Sequence, residues 1–155
     1  MLPIDLAYTL HYVLHFILAA VGTYLLARRW GQSRAAAFIA GFVFVFSGPV
    51  LSLGNFYNHV AATAWIPWVL LLTDHACESR ARRPWILLTL VLALQFLAAE
   101  PFTLIATFGA AFAYAIFLRG DARHPLAATN RRLVLGFVAA GCLMLALCAV
   151  QFLPP

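Results

Sequence analysis

The chain has 155 residues, 65% of them hydrophobic and 10% charged, with a formal net charge of +5. Soluble domains hold roughly 45–50% apolar and about 25% charged residues. This composition therefore excludes an ordinary water-soluble fold, because most of the apolar surface would find no core to enter. The basic residues form no stripe interleaved with exposed aromatics, which excludes a nucleic-acid surface.

The expected fold is all-α: a polytopic transmembrane helix bundle of about six apolar segments, forming a single domain over residues 1–155. In chain order the segments are Leu6 to Ala27, Ala35 to Leu53, Val60 to Thr73, Trp85 to Ala99, Phe102 to Leu118 and Leu133 to Leu153. About 20 residues are needed to cross a hydrocarbon core of roughly 30 Å. The first, second and last segments reach that length. Segments 60–73, 85–99 and 102–118 fall short, and either cross fully or re-enter. The run Phe42 to Phe46 has the look of a strand in water, but an isolated strand in lipid leaves backbone groups unpaired, so helix is expected.

Loop charge supplies the direction. All ten basic residues are arginines, and with abundant alanine they point to a GC-rich bacterial genome and a bacterial inner membrane. They fall in three stretches, 28–34, 74–84 and 119–132, while Gly54 to His59 and Glu100–Pro101 carry none. Arginine stays on the cytoplasmic side. The three stretches are therefore expected to be cytoplasmic, with Cys77 among them, and residues 35–73 and 85–118 to be out-and-back pairs. Leu6 then starts outside, with Pro3 and Asp5, and no basic segment of a signal peptide precedes it. That start predicts a piece of a larger membrane domain, with helices upstream and downstream as its partners beside the lipid bilayer.

Small residues four apart, Ala37 with Gly41 and Gly109 with Ala113, predict close helix packing, and Gly136 with Gly141 a looser version. Trp30, Trp65, Trp68 and Trp85 lie near span ends and read as interfacial anchors. Cys77, Cys142 and Cys148 form no CxxC pair, so neither a disulfide framework nor a zinc site is expected. No phosphate-loop, dinucleotide, serine-hydrolase or HExxH pattern is present, and no cofactor is assigned.

Polar residues between the apolar runs are the candidates for chemistry. Gly54-Asn55-Phe56-Tyr57-Asn58-His59 offers two amides, a phenol and an imidazole, suited to a sugar or head group or simply to a polar turn. His59 suits a phosphate contact or a proton near neutral pH. Glu100 is the only acid between Glu78 and Asp121. Pro101 favours the first position of a helix, so Glu100 stands where the helix dipole favours an anion. An ionisable group at that depth is a functional candidate, with a simple cap as its bland reading. Gln95 adds a polar contact or bonds to a neighbouring helix. His11 and His15 share a helix face but have no third metal ligand, so packing or hydrogen bonding is expected of them. Asp74, His75 and Glu78 read as solvated residues of the second arginine loop.

Taken in order, His15 to Arg28, Phe46-Ser47-Gly48, Asn58-His59, Ala64 to Trp68, Gln95 to Pro101 and Val150 to Pro154 resemble the YfhO-type bacterial membrane proteins. These look like members of the GT-C class of polytopic glycosyltransferases. The resemblance implies transfer of a sugar from a polyprenyl-phosphate donor to a cell-envelope acceptor at the outer face. Of the family's pattern only Glu100 and Pro101 carry over, and with the polar residues read above they give an expected substrate-binding set of Glu100, His59, Asn58, Asn55, Tyr57 and Gln95. The acidic residue that serves catalysis in that class lies in the first external loop and matches no position here, so the catalytic residues are unassigned. The alternatives are a transporter or flippase fragment and a non-catalytic membrane scaffold.

Overall fold

The computed structural model describes residues 3–79, 81–98, 100–119 and 128–149. Arg80, Ala99, the middle of the third arginine stretch at 120–127 and the Val150 to Pro154 motif lie outside the described residues. The described residues are helical, with no strand among them.

The first rod is α1, Ile4–Arg29. It ends where Gly31 takes φ +81°, with Gln32 N–H donating to the Ala27 carbonyl and Gly31 N–H to the Arg28 carbonyl. That is the glycine-dependent helix stop that satisfies the last free carbonyls. Ser33 then caps α2, Arg34–Val45, its Oγ accepting from Ala36 N–H at 3.2 Å. The Phe42 to Phe46 run is helical through Val45, with Phe46 as the C-cap before the break at Ser47. Beyond that break come the short α3, Gly48–Ser52, and a 3-10 turn, Leu53–Asn55. The apolar rod Arg34–Ser52 spans 19 residues.

The third rod joins α4, Tyr57–Ala64, to α5, Ile66–Glu78. Pro67 lies in the first turn of α5. It lacks an N–H to continue the backbone ladder, which accounts for the joint at Trp65. The combined rod covers 22 residues. The sequence expected only Val60 to Thr73. Polar Asn58 and His59 extend the helix at one end, and Asp74, His75 and Glu78 at the other. Next come α6, Arg83–Leu97, and α7, Pro101–Ala113, which runs into a π-helical segment, Tyr114–Arg119. The apolar part of that rod, Pro101–Leu118, covers 18 residues, whereas α6 has 15. The last helix is α8, Ala128–Leu147.

Pair contacts fix the directions. Tyr12 donates to the Gly54 carbonyl at 2.8 Å, and Arg29 to Asp74 at 2.6 Å, so α1 runs parallel to the α4–α5 rod. His59 faces Glu100, and Tyr114 donates to Asp74, so the α7 rod runs the same way. The intervening α2, α6 and α8 return. Segments 60–73 and 102–118 thus traverse the bundle from end to end, as α6 does in the reverse sense. The 28–34 stretch, the 74–84 stretch and both described flanks of the third arginine stretch gather at one end. The 54–59 and 100–101 stretches gather at the other.

The main core lies among α5, α6, α7 and α8: Leu88, Leu92, Leu104, Leu133 and Phe137 are buried together. Phe137 is its hub, with Trp85, Phe108 and Phe112 rings edge-on at 5.4–5.5 Å between centroids. A smaller cluster, Ala19, Val45 and Ala64, joins α1, α2 and α4. Many large apolar side chains elsewhere are exposed, among them Phe38, Phe102, Ile105 and Phe117, as lipid-facing residues must be.

Two packing expectations need correction. A Cβ on Gly41 would sit 2.8 Å from the Ala20 carbonyl oxygen, so Ala37 and Gly41 do mark a close backbone approach. Gly109 faces open space, because it lies on the outward side of α7. Gly136 instead receives the Trp85 ring, where a Cβ would meet ring carbons at 2.5 Å. The tryptophans also differ from simple anchors. Trp68 donates to the Leu18 carbonyl at 3.0 Å and lies on Gly22, and Trp85 packs inside the helix interface. Trp30 alone of the four is exposed, its indole donating to the Tyr114 hydroxyl at 3.1 Å.

Candidate functional site at the arginine-free end

Glu100 is the N-cap of α7. Its Oε2 accepts from Thr103 N–H at 2.9 Å. Pro101, with no N–H of its own, occupies the next position, so the local sequence dictates both the helix start and the carboxylate at it. The residue is only 4% exposed. Its Oε1 lies 3.7 Å from Nδ1 of His59, which belongs to the first turns of α4 and is partly open. That gap exceeds a hydrogen bond and closes with a small side-chain shift. A buried carboxylate beside a part-open imidazole is an arrangement suited to holding and passing a proton.

Gln95, deeper on α6, is fully buried. Its Nε2 donates to the Ala62 carbonyl of α4 at 3.0 Å and to Thr107 Oγ1 of α7 at 3.1 Å. The Thr107 hydroxyl in turn donates to the Thr103 carbonyl at 2.6 Å. Gln95 thus ties together the two rods that carry His59 and Glu100. Its Oε1 has no hydrogen-bond partner among the described residues.

The remaining expected site residues separate. The Asn55–His59 stretch is a 3-10 turn followed by the first turn of α4 rather than an open loop. Two residues along a helix are about 200° apart. Tyr57 and His59 therefore cannot line the same wall. Tyr57 turns to α1, its ring edge-on to Tyr8 and His11 at 6.3 and 6.0 Å. Asn55 is exposed on the turn and Asn58 half-buried beside it. The His11 and His15 rings lie against each other, tilted by 40° with centroids 4.2 Å apart. His15 Nδ1 donates to the His11 carbonyl at 2.7 Å, and His11 Nε2 lies 3.4 Å from the Tyr57 carbonyl. No group of three or more His, Cys, Asp or Glu that could hold a metal occurs among the described residues.

A second polar cluster at the opposite end went unseen in the sequence. Asp74 is fully buried rather than solvated. It accepts from Arg29 Nε at 2.6 Å and from the Tyr114 hydroxyl at 2.5 Å. Glu78 pairs with the same guanidinium, and Arg132 donates to the Ser79 carbonyl. The available signal was the four-residue spacing of Asp74 and Glu78, which puts both acids on one helix face toward a cation.

Apolar rods of membrane-crossing length, lipid-facing side chains and polar clusters confined to the two ends define a multi-pass helical membrane protein. The chain belongs to the family described as "6-pyruvoyl-tetrahydropterin synthase related domain; membrane protein", whose model matches residues 2–149. No curated protein and no solved structure matches it.

Proposed function

We propose that this chain is part of a GT-C-like membrane glycosyltransferase that moves a sugar from a polyprenyl-phosphate donor to a cell-envelope acceptor. The observation that supports this most is the buried Glu100 carboxylate beside His59, at the end of the bundle that carries no arginine. With arginine kept inside, that end faces outward, where an envelope acceptor would be met. Glu100 or His59 would take the proton of an acceptor hydroxyl. The unpaired Gln95 Oε1 suits a hydroxyl donor, since a buried acceptor left alone costs about 1–3 kcal/mol. Asn55, Asn58 and Tyr57 would form the rim of the site rather than its wall. The likeness to YfhO-type proteins rests on the ordered motifs.

Glu100→Gln in the full-length protein tests the reading. Lost glycosyl transfer at normal abundance supports it; unchanged transfer sinks it. The interruptions at Ser47 in the second rod and at Trp65 in the third favour a transporter or flippase as the second reading, because interrupted helices commonly line transported-substrate sites. In that case the same variant abolishes flux and leaves no transferase activity to lose.

A further inference from the structure

A groove on the lipid-facing side of α5 and α6 belongs to neither polar cluster. Near the arginine end it is a cavity of about 320 Å³ walled by Trp68, Leu71, Leu72 and Leu87, with His75 and Arg83 at its mouth. A second cavity of about 270 Å³ shares Trp68, Leu72 and Leu87 and continues toward mid-bundle along Trp65, Val91 and Leu18. The two make one apolar channel with its cationic end at the level of the arginine loops.

Three independent features at the mouth suit an anion. Arg83 is exposed and has no ion-pair partner among the described residues, and Arg82 precedes it. α6 begins here, and its N-cap, Arg82, makes no side-chain cap bond. Pro84, the second residue of α6, has no N–H, so the helix start offers the N–H groups of Arg83 and Trp85 and the positive end of its dipole. His75 Nδ1 donates to the Leu71 carbonyl at 2.9 Å, which leaves Nε2 for a ligand.

We propose that this groove is a binding site for one anionic phospholipid. Its phosphate sits against Arg83, His75 and the start of α6, and one acyl chain lies along Leu72, Leu87 and Trp68. A cationic mouth on an apolar, lipid-facing channel has the charge and polarity order of a phospholipid, and basic pockets between spans on the cytoplasmic side bind such head groups. A free phosphate would use the mouth alone and gain nothing from the channel.

The test is the thermal stability of the protein in detergent, titrated with phosphatidylglycerol, phosphatidylcholine or inorganic phosphate. Wild type is expected to be stabilised by phosphatidylglycerol well beyond the other two. Arg83→Gln is expected to weaken the apparent phosphatidylglycerol affinity about fivefold, while Arg34→Gln, an exposed arginine of another loop, leaves it unchanged. Leu87→Trp, which fills the channel and keeps the charge, is expected to weaken it as well. Equal loss in Arg34→Gln would mean diffuse surface attraction and overturn the site. Full stabilisation by inorganic phosphate, or an unaffected Leu87→Trp, would overturn the lipid as its occupant.

Discussion

At the arginine end, a fully buried aspartate is met by a guanidinium and a phenol, each at 2.6 Å or closer, from two other helical rods. At the opposite end, a buried glutamate is met by one backbone N–H and by an imidazole standing 3.7 Å off, and α6 carries an amide oxygen with no partner among the described residues. Both ends tie helices together through charge. The first uses Asp74 for architecture and leaves it nothing to offer a ligand. The second keeps capacity in reserve. In a medium with no water to complete a shell, unused capacity at a buried polar group is costly, and its retention is the physical ground for proposing chemistry at Glu100 rather than at Asp74.

Substitutions can break this contrast. The largest effect is expected from Glu100→Gln. The amide still caps α7 through its oxygen, so stability should change by less than about 1 kcal/mol. Transferase or transport activity, measured in vesicles, should fall about 100-fold or more with loss of the proton acceptor. Next comes Asp74→Ala, which removes the acceptor of the Tyr114 hydroxyl proton and weakens the hold on Arg29. Breaking a fully buried pair costs about 3–5 kcal/mol. Arg29 is 28% exposed and keeps Glu78, so about 2–3 kcal/mol is expected, read by unfolding in detergent. Should Glu100→Gln destabilise as much as Asp74→Ala, both ends are structural and the contrast fails. Gln95→Leu removes two donated bonds and one unpaired acceptor together, and about 1 kcal/mol or less is expected from the same unfolding measurement. A final comparison fixes direction: a cysteine at Asn55 should react with a membrane-impermeant thiol reagent in intact cells, and one at Gln32 only after permeabilisation. The reverse pattern would invert the bundle and move Glu100 to the cytoplasm.

Most of the architecture could be read from apolar runs and arginine positions, because both follow directly from the cost of putting polar groups in hydrocarbon. The Glu100 cap was equally legible, since a residue before proline at the start of an apolar run has few other places to be. What escaped depended on partners distant in the chain. Asp74 follows an apolar run and precedes basic residues, which looks like a loop. Its burial depends on Arg29, 45 positions earlier, and Tyr114, 40 later. The divergence of Tyr57 from His59 was hidden because asparagine and glycine suggested a turn where α4 in fact begins. Gly109 and Gly136 have similar surroundings in sequence, and only the facing element, open space or the Trp85 ring, tells them apart.

The seat of Trp68 on Gly22 has a bearing on descent. A single added methyl at 22 would fall 2.6 Å from the indole nitrogen, so position 22 is not free to grow while the indole is in place. A bulkier residue at 22 should appear only in lineages where the indole at 68 has already been exchanged for something smaller, and the order of those two events should leave the same trace in every branch.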